Sequence, residues 1–196
     1  MKRAFDIVFS LFLLTLLSPL FLFLSTFIAL DSRGGVFFGQ IRVGKNGCHF
    51  RLLKFRTMRP FSESAGQITV GASDSRITRA GKWLRKYKMD ELPQLINILR
   101  GQMSVVGPRP EVPRYVEMYT DDQRRVLEVR PGLTDYASLA YFHENEVLAQ
   151  STDPEHTYIQ EIMPEKLRLN RRYIEDQSMV TDLKIIAGTI KAIFKA

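Results

Sequence analysis

The chain has 196 residues, enough for one compact domain with a real core and crowded for two. Lys and Arg number 28 against 21 Asp and Glu, a formal net charge of +7 that suits a polyanionic partner such as nucleic acid, anionic lipid or a phosphorylated substrate. A single cysteine, Cys48, excludes an internal disulfide, fits a reducing compartment and reads as a small apolar filler in a strand.

Between Asp6 and Asp31 the chain carries no charge, and Ile7 to Leu30 is almost wholly apolar, about the two dozen residues that a bilayer-spanning helix needs. A cleaved signal peptide has a shorter apolar core followed by a small-x-small site, and neither applies here. Ser18 and Pro19 interrupt the segment at its middle, where Pro19 removes a backbone donor and crowds the carbonyl of Thr15, so a kink is expected. Each half rises about 16 Å, half of a hydrocarbon core about 30 Å thick. A kinked span and a re-entrant hairpin both remain open. Lys2, Arg3 and the α-amino group favour the hairpin, which keeps both ends on the inside.

After a turn at Asp31 to Gly35, Val36 to Met58 reads as two strands joined around Lys45, Asn46 and Gly47. The basic residues Arg51, Lys54 and Arg56 suit a solvated edge as well as a phosphate site. Pro60 to Ala72 is polar and rich in Ser and Gly, and predicts a loop of the kind that often forms a lid. A helix is expected near Lys82, with Trp83, Leu84 and Tyr87 on its apolar side. Six cations crowd this region, Arg76, Arg79, Lys82, Arg85, Lys86 and Lys88, and their simplest reading is a solvated helix face.

Leu92, Leu95, Ile96 and Leu99 follow the i, i+3, i+4, i+7 rule and predict the next helix, with Asp90 as N-cap, Pro93 in the first turn and Gly101 at the end. Taken alone, Asp90 and Glu91 are an ordinary acidic helix start. The apolar run Met103 to Val106 feeds the loop Gly107, Pro108, Arg109, Pro110, whose prolines present one guanidinium at low entropic cost. That form suits bidentate capture of phosphate, although ordinary turns share it. A helix is expected from Glu111 to Val129, and a second stiff turn, Arg130, Pro131, Gly132, leads into Leu133 to Tyr141. His143 has no second ligand at metal spacing and reads as a surface histidine. Near the end, Leu183, Ile186, Ile190, Ile193 and Phe194 share a helical face bordered by Lys184, Lys191 and Lys195, which suits an anionic membrane surface as well as packing on the core.

The apolar segment broken at Ser18 and Pro19, followed in order by KFRTM, DSRITRAGKWLRK, DELPQLINILRGQMSVVGPRP and RPGLT, resembles the bacterial sugar transferase family of monotopic polyprenyl-phosphate phosphoglycosyl transferases. The likeness runs over nearly the whole chain, and this short form looks like the minimal catalytic unit of that family. The resemblance implies a re-entrant helix anchor over residues 1–31 and a catalytic domain over 32–196. The expected fold class is α/β, mostly helical, with a small β-hairpin or sheet and interfacial amphipathic helices, set on the cytoplasmic face of a bacterial inner membrane.

The resemblance also reverses the ordinary reading of Asp90 and Glu91, which correspond to the family's Asp-Glu dyad. The aspartate would attack the sugar-bearing phosphate of a UDP-sugar, expel UMP and hold a phosphosugar until polyprenyl phosphate, such as undecaprenyl phosphate, removes it. Two anions cannot approach without neutralisation, hence Mg²⁺ on Asp90 and Glu91. Lys54, Arg56, Arg76, Arg79, Arg85, Arg130, and Arg109 between Pro108 and Pro110, are the candidates for phosphate and nucleotide binding. Thr134, Asp135, Tyr136, Ala137, Ser138 and Leu139 depart from the commoner Thr-Gly-Trp-Ala-Gln-Val run, so a region near the sugar or uridine differs. The sugar and the oligomeric state are left open.

Two rival readings share some of these features. A non-enzymatic membrane-tethered basic module would use the same charge, but it needs neither the dyad nor the proline-flanked arginine. No zinc ligands, RNA-binding aromatic motif or heptads point to nucleic acid. A metal-dependent lipid diphosphate hydrolase would share the phosphate contacts and use water as acceptor.

Overall fold

The computed structural model describes residues 1–59 and 74–195, so the loop expected at 60–72 lies outside the described residues. The chain begins with α1 (Lys2–Leu16) and α2 (Ser18–Asp31), followed by the hairpin β1 (Phe37–Val43) and β2 (His49–Phe55). Then come α3 (Arg79–Lys86), α4 (Gln94–Leu99), β3 (Ser104–Val106), α5 (Pro113–Val116), α6 (Asp121–Arg124) and β4 (Gly132–Thr134). The helices α7 (Tyr136–Ala140), α8 (Glu144–Ala149), α9 (Pro154–Thr157), α10 (Met163–Glu175) and α11 (Met179–Lys195) complete a mostly helical fold.

The break at Ser18 and Pro19 is present: α1 and α2 meet at Leu17 with a bend of 62°. Pro19 has no N–H to offer Thr15, and the Ser18 hydroxyl donates to that carbonyl at 2.8 Å instead. Among the described residues no single helix is long and apolar enough to cross a membrane, whereas the bent pair together passes that test. Each helix buries one side and bares the other. Phe5, Phe9, Leu13 and Leu14 pack into a core with Leu95, Ile98, Met103 and Val105, while Val8, Leu11, Phe12 and Leu16 are exposed. Leu24 and Ile28 close a second core with Phe55, Ala80 and Leu84, while Leu22 and Leu30 remain 71% and 82% exposed.

Polar groups fasten both ends of the bent pair to the rest of the fold. Arg3 donates to the last carbonyls of α4, Ile98 at 2.7 Å and Leu99 at 3.1 Å, where a cation also complements the helix dipole. Buried Asp6 accepts from Ser104 Oγ and Val105 N, each at 3.0 Å. Lys2 pairs with Asp182 and donates to the Tyr173 hydroxyl at 2.8 Å. At the far end, Asp31 accepts from Ala80 N at the start of α3, at 3.1 Å.

The hairpin forms as predicted, with Phe37 opposite Phe55 and Val43 opposite His49. Asn46 and Gly47 take positive φ in its turn, at 56° and 75°. It ends at Phe55 rather than Met58, which makes an isolated bridge to Ile77. Cys48 lies exposed in the turn instead of filling a strand. Buried Asn97 acts as a substitute strand on the outer edge of β2, accepting from Leu53 N at 2.9 Å and donating to Arg51 O at 2.8 Å, and so seats α4 beside that edge. A second sheet pairs β3 with β4 in parallel, Ser104 opposite Gly132 and Val106 opposite Thr134.

The single helix expected from Glu111 to Val129 is instead three short pieces: α5, α6 and a 3₁₀ turn at Arg125–Glu128. Thr120 explains the break, because it caps α6 in a capping box with Gln123 and so starts a new helix inside the predicted one. The apolar face predicted for the tail divides. Ile185 and Ile186 turn to the core, whereas Leu183, Ile190 and Phe194 face outward.

Replacing Asp6 by Ala leaves two donors unpaired, one of them a buried backbone N–H, and is expected to destabilise the fold by about 2 to 4 kcal/mol. Urea unfolding in detergent micelles measures this, and an unchanged midpoint would show that α1 is not joined to β3 as described.

Candidate active site

Asp90 and Glu91 do not cap a helix as predicted. They sit in a 3₁₀ turn, Met89–Glu91, that precedes α4, entered through Lys88 in the left-handed conformation at φ 54°. Pro93 holds the N-cap position of α4, so the acidic pair is one turn further out than periodicity implied. Both carboxylates are well covered, with side-chain exposures of 8% and 12%.

Their surroundings separate them. Arg109 forks onto Glu91, Nη1 reaching Oε2 at 3.2 Å and Nη2 reaching Oε1, while Lys54 Nζ lies 2.8 Å from Oε1. Burial works against the Glu91 charge, but Arg109 and then Lys54 outweigh it and hold the carboxyl well below its ordinary range. The same contact raises Arg109 above the usual guanidinium value. Among the described residues Asp90 accepts no hydrogen bond, and Lys54 Nζ, 3.8 Å from Oδ2, is the one cation within 4 Å. Burial therefore dominates and pushes the Asp90 carboxyl up, with Lys54 offsetting only part.

The loop that delivers Arg109 is shaped by a backbone approach too close for any side chain. A Cβ on Gly132 would run into the backbone of Gly107, and one on Gly107 would meet the Arg130 carbonyl. Gly107 N donates to Thr134 O at 3.0 Å, and Gly132 N to Pro108 O at 2.9 Å. Pro108 thus anchors the loop, as does Pro110, whose carbonyl accepts from Arg42 Nη1 at 3.1 Å. Fully buried Asp135 then accepts from Arg109 N at 3.0 Å and from Ser138 N at 2.6 Å, tying the loop to the start of α7. Glu111 closes the other flank, taking Arg42 at 3.0 Å, Val112 N at 2.7 Å and the Tyr158 hydroxyl.

Lys54, Arg85 and Arg109 are brought to the carboxylates. Arg85 donates from Nε to Thr57 Oγ1 at 2.9 Å and acts electrostatically on Asp90, Asp74 and Glu91. Arg76 forks onto Asp74, with Nη2 at 2.6 Å. Three of the predicted cations sit elsewhere. Arg56 is buried and donates to the carbonyls of Ser32 and Arg33, Arg130 donates to Gly101 O at 3.0 Å, and exposed Arg79 opens α3 with no described tie to the dyad. His143 is exposed, with Glu146 at 3.1 Å and the Phe142 ring edge-on beside it. Sequence reasoning missed Arg42, Asp135 and Lys88 as parts of this neighbourhood. Lys88, assigned to a solvated helix face, lies largely covered with its charge acting on Glu91 and Asp90. Only its place beside Asp90 in the sequence hinted at that.

Two adjacent carboxylates, one locked by cations and one without a donor among the described residues, lie under a rim of positive charge, an arrangement that makes them the candidate site for phosphate-bearing ligands. A family model described as bacterial sugar transferase matches residues 1–196. The chain is 36% identical to the uncharacterized sugar transferase EpsL of Bacillus subtilis, over 98% of this chain and 87% of that protein. It is 34% identical to the UDP-glucose:undecaprenyl-phosphate glucose-1-phosphate transferase of Caulobacter vibrioides, over 98% of this chain and 69% of that one. With the UDP-N-acetylgalactosamine-undecaprenyl-phosphate N-acetylgalactosaminephosphotransferase of Aeromonas hydrophila it shares 36% identity, over 98% of this chain and 43% of the larger protein. The chain belongs to the bacterial sugar transferase family.

The raised Asp90 carboxyl makes a stability prediction. A folded-state pKa above the unfolded one favours the folded protein at pH below the unfolded value, and that advantage is lost as pH rises through the folded value. At neutral pH the buried charge is a net cost, so Asp90→Asn is expected to melt higher than wild type in protein freed of divalent ions. The gap should close as pH falls toward the range where Asp90 is protonated. Thermal melts across that range check it, and a lower melting point for the variant at neutral pH overturns the reading.

Proposed function

We propose that the protein transfers a sugar 1-phosphate from a UDP-sugar to a polyprenyl phosphate, undecaprenyl phosphate in the first instance, as an initiating step of bacterial glycoconjugate assembly. The observation that carries the reading is the division of labour in the dyad: Glu91 is locked by Arg109 and Lys54, while Asp90 is buried without a donor among the described residues. An Asp90 carboxylate without hydrogen bonds keeps its lone pairs for a phosphorus atom. Its oxygen forms a bond to the sugar-bearing phosphorus as the bond from that phosphorus to UMP breaks, and UMP leaves. A phosphate oxygen of the polyprenyl phosphate then attacks the same phosphorus, the bond to Asp90 breaks, and the carboxylate is restored.

Asp90 and Glu91 are the residues that would hold Mg²⁺. Among the described residues no group of three or more acidic, His or Cys side chains offers a closed cage. Two carboxylates suit this ion, which keeps several waters and takes further ligands from substrate phosphates, and Glu91 retains unused lone pairs beside its cations. When bound, the ion supplies charge neutralisation between carboxylate and diphosphate. Arg109, Lys54 and Arg85 hold phosphate oxygens, with Arg76 on the rim. The sugar is selected elsewhere, and the segment from Thr134 to Leu139 beside the Arg109 loop is the nearest candidate.

The same reading makes α1 and α2 a re-entrant anchor in the cytoplasmic membrane, with the catalytic part on the cytoplasmic face. Support comes from the fastening of Arg3, Asp6 and Asp31 to one body, which draws both ends of the bent pair to one side, and from the bare apolar flanks of both helices. Exposed Cys48, the sole cysteine, offers a built-in reference for topology. With a second cysteine placed ahead of Lys2, both sites should resist an impermeant thiol reagent in intact cells and react after permeabilisation. Labelling of the added cysteine alone in intact cells would establish a spanning helix.

The reaction is tested with purified protein, Mg²⁺, undecaprenyl phosphate and a panel of UDP-sugars. UMP should appear with one donor, and without acceptor the peptide containing Asp90 should gain the mass of a phosphosugar. Asp90→Asn should show neither. Turnover retained in that variant removes the nucleophile assignment, and wild-type protein that is folded yet releases no UMP from any donor removes the transferase reading.

A further inference from the structure

Lys88 stands out among the cations around the dyad because no oxygen of the described residues holds its ammonium. Lys54, Arg85, Lys88 and Arg109 act on Asp90 and Glu91, and Arg42 acts on Glu91. Lys54 and Arg109 are bonded to Glu91, and Arg85 to Thr57. The Lys88 side chain makes no hydrogen bond or ion pair among the described residues. Its ammonium instead rests 5.1 Å from the centroid of the Phe142 ring. Phe142 follows α7, the helix whose start Asp135 ties to the Arg109 loop.

The backbone at this residue argues against a merely structural role. Lys88 has φ 54°, and among the described residues the other non-glycine residue with positive φ is Asn46, a type that tolerates a left-handed turn. A lysine there is strained relative to glycine, and such strain concentrates where a side chain is needed for its chemistry. Lys88 O accepts from Glu91 N at 3.3 Å, so the strained residue is part of the same turn as the carboxylates and cannot drift from them. A third cation near a Glu91 already satisfied by two is unfavourable until an anion arrives.

We propose that Lys88 is a further phosphate-binding residue, whose ammonium leaves the Phe142 ring to hold an oxyanion of the substrate at the dyad. The proposal rests on the transferase reading given above. A cation–π contact is weaker than a charge-assisted bond to phosphate in a covered site, so the exchange is favourable. The oxyanion belongs either to the nucleoside diphosphate or to the lipid phosphate, and the two are separated by kinetics.

Lys88→Met, Lys88→Arg and Lys88→Gly are compared with wild type in detergent micelles with Mg²⁺, by UMP release at varied donor and varied undecaprenyl phosphate, and by calorimetric titration with UDP. Lys88→Met is expected to raise one KM about tenfold to a hundredfold. A donor-side rise with weakened UDP binding assigns the nucleotide diphosphate, and a rise confined to the acceptor assigns the lipid phosphate. Lys88→Arg should recover most of the loss. Lys88→Gly should melt at or above the wild-type temperature, since the backbone strain is gone, yet share the defect of Lys88→Met. If wild type turns over and Lys88→Met matches it in both KM values and in UDP binding, the proposal is overturned while the transferase reading stands. If wild type binds UDP without releasing UMP, the transferase reading fails, and Lys88 is then judged by the UDP affinity of Lys88→Met.

Discussion

The carboxylate of Glu91 joins three parts of the chain that local structure alone would leave apart. Its oxygens take Lys54 from the hairpin and the Arg109 fork from the loop after β3. A largely buried ion pair of this kind adds little net stability, because removing two charges from water costs about what their attraction returns. What it supplies is position. With Arg109 and Lys54 bound to Glu91, the neighbouring Asp90 is left covered, without a donor among the described residues and exposed to a positive field.

Several constraints of different kinds converge on that arrangement. The parallel pair β3 and β4 brings Gly107 against Gly132 with no room for a side chain, so the two proline-containing loops lie side by side. Asp135 fixes one end of the Arg109 loop through the backbone, and Arg42 with Glu111 fixes the other. Asn97 joins α4 to the edge of β2 and thereby sets the distance from Lys54 to the dyad. Each partner is buried and hydrogen-bonded, which is how a low-dielectric site keeps polar groups in one geometry.

The N-terminal helices belong to this framework rather than trailing from it. Their inner sides complete two of the cores, and Asp6 and Asp31 are bonded to the backbone of β3 and of α3. An apolar segment without such polar ends could sit in a bilayer in either topology. Here the polar ends are held by one body, while the outward sides of α1 and α2 are mostly apolar and that of α11 mixes Leu183, Ile190 and Phe194 with exposed Lys184, Lys191 and Lys195. The bent pair and the turn that carries Asp90 and Glu91 are therefore joined by packing, since α1 packs on α4 and α4 follows that turn.

The kink at Pro19, the Asn-Gly hairpin and the existence of α4 were legible in the sequence, because a missing N–H, a left-handed turn residue and a 3.6-residue period act over a few neighbouring residues, although α4 fully buries Leu95 and Ile98 where the period named Leu92, Leu95, Ile96 and Leu99. The family, too, was legible, from the order of several short motifs. Burial and pairing at long range were not. Arg56 and Arg85 are both basic residues in matching motifs, yet one is consumed by carbonyls and the other faces the dyad. Nothing local distinguishes them. Lys88 looked like one more solvated cation, and Asp135 like a departure from pattern, until folding placed the first at the carboxylates and the second behind Arg109. The sequence by itself determined which segments bend, pair and coil, since those preferences are written in adjacent residues. Only the tertiary structure decided which charges meet, because an ion pair depends on distance in space and on the water that packing removes.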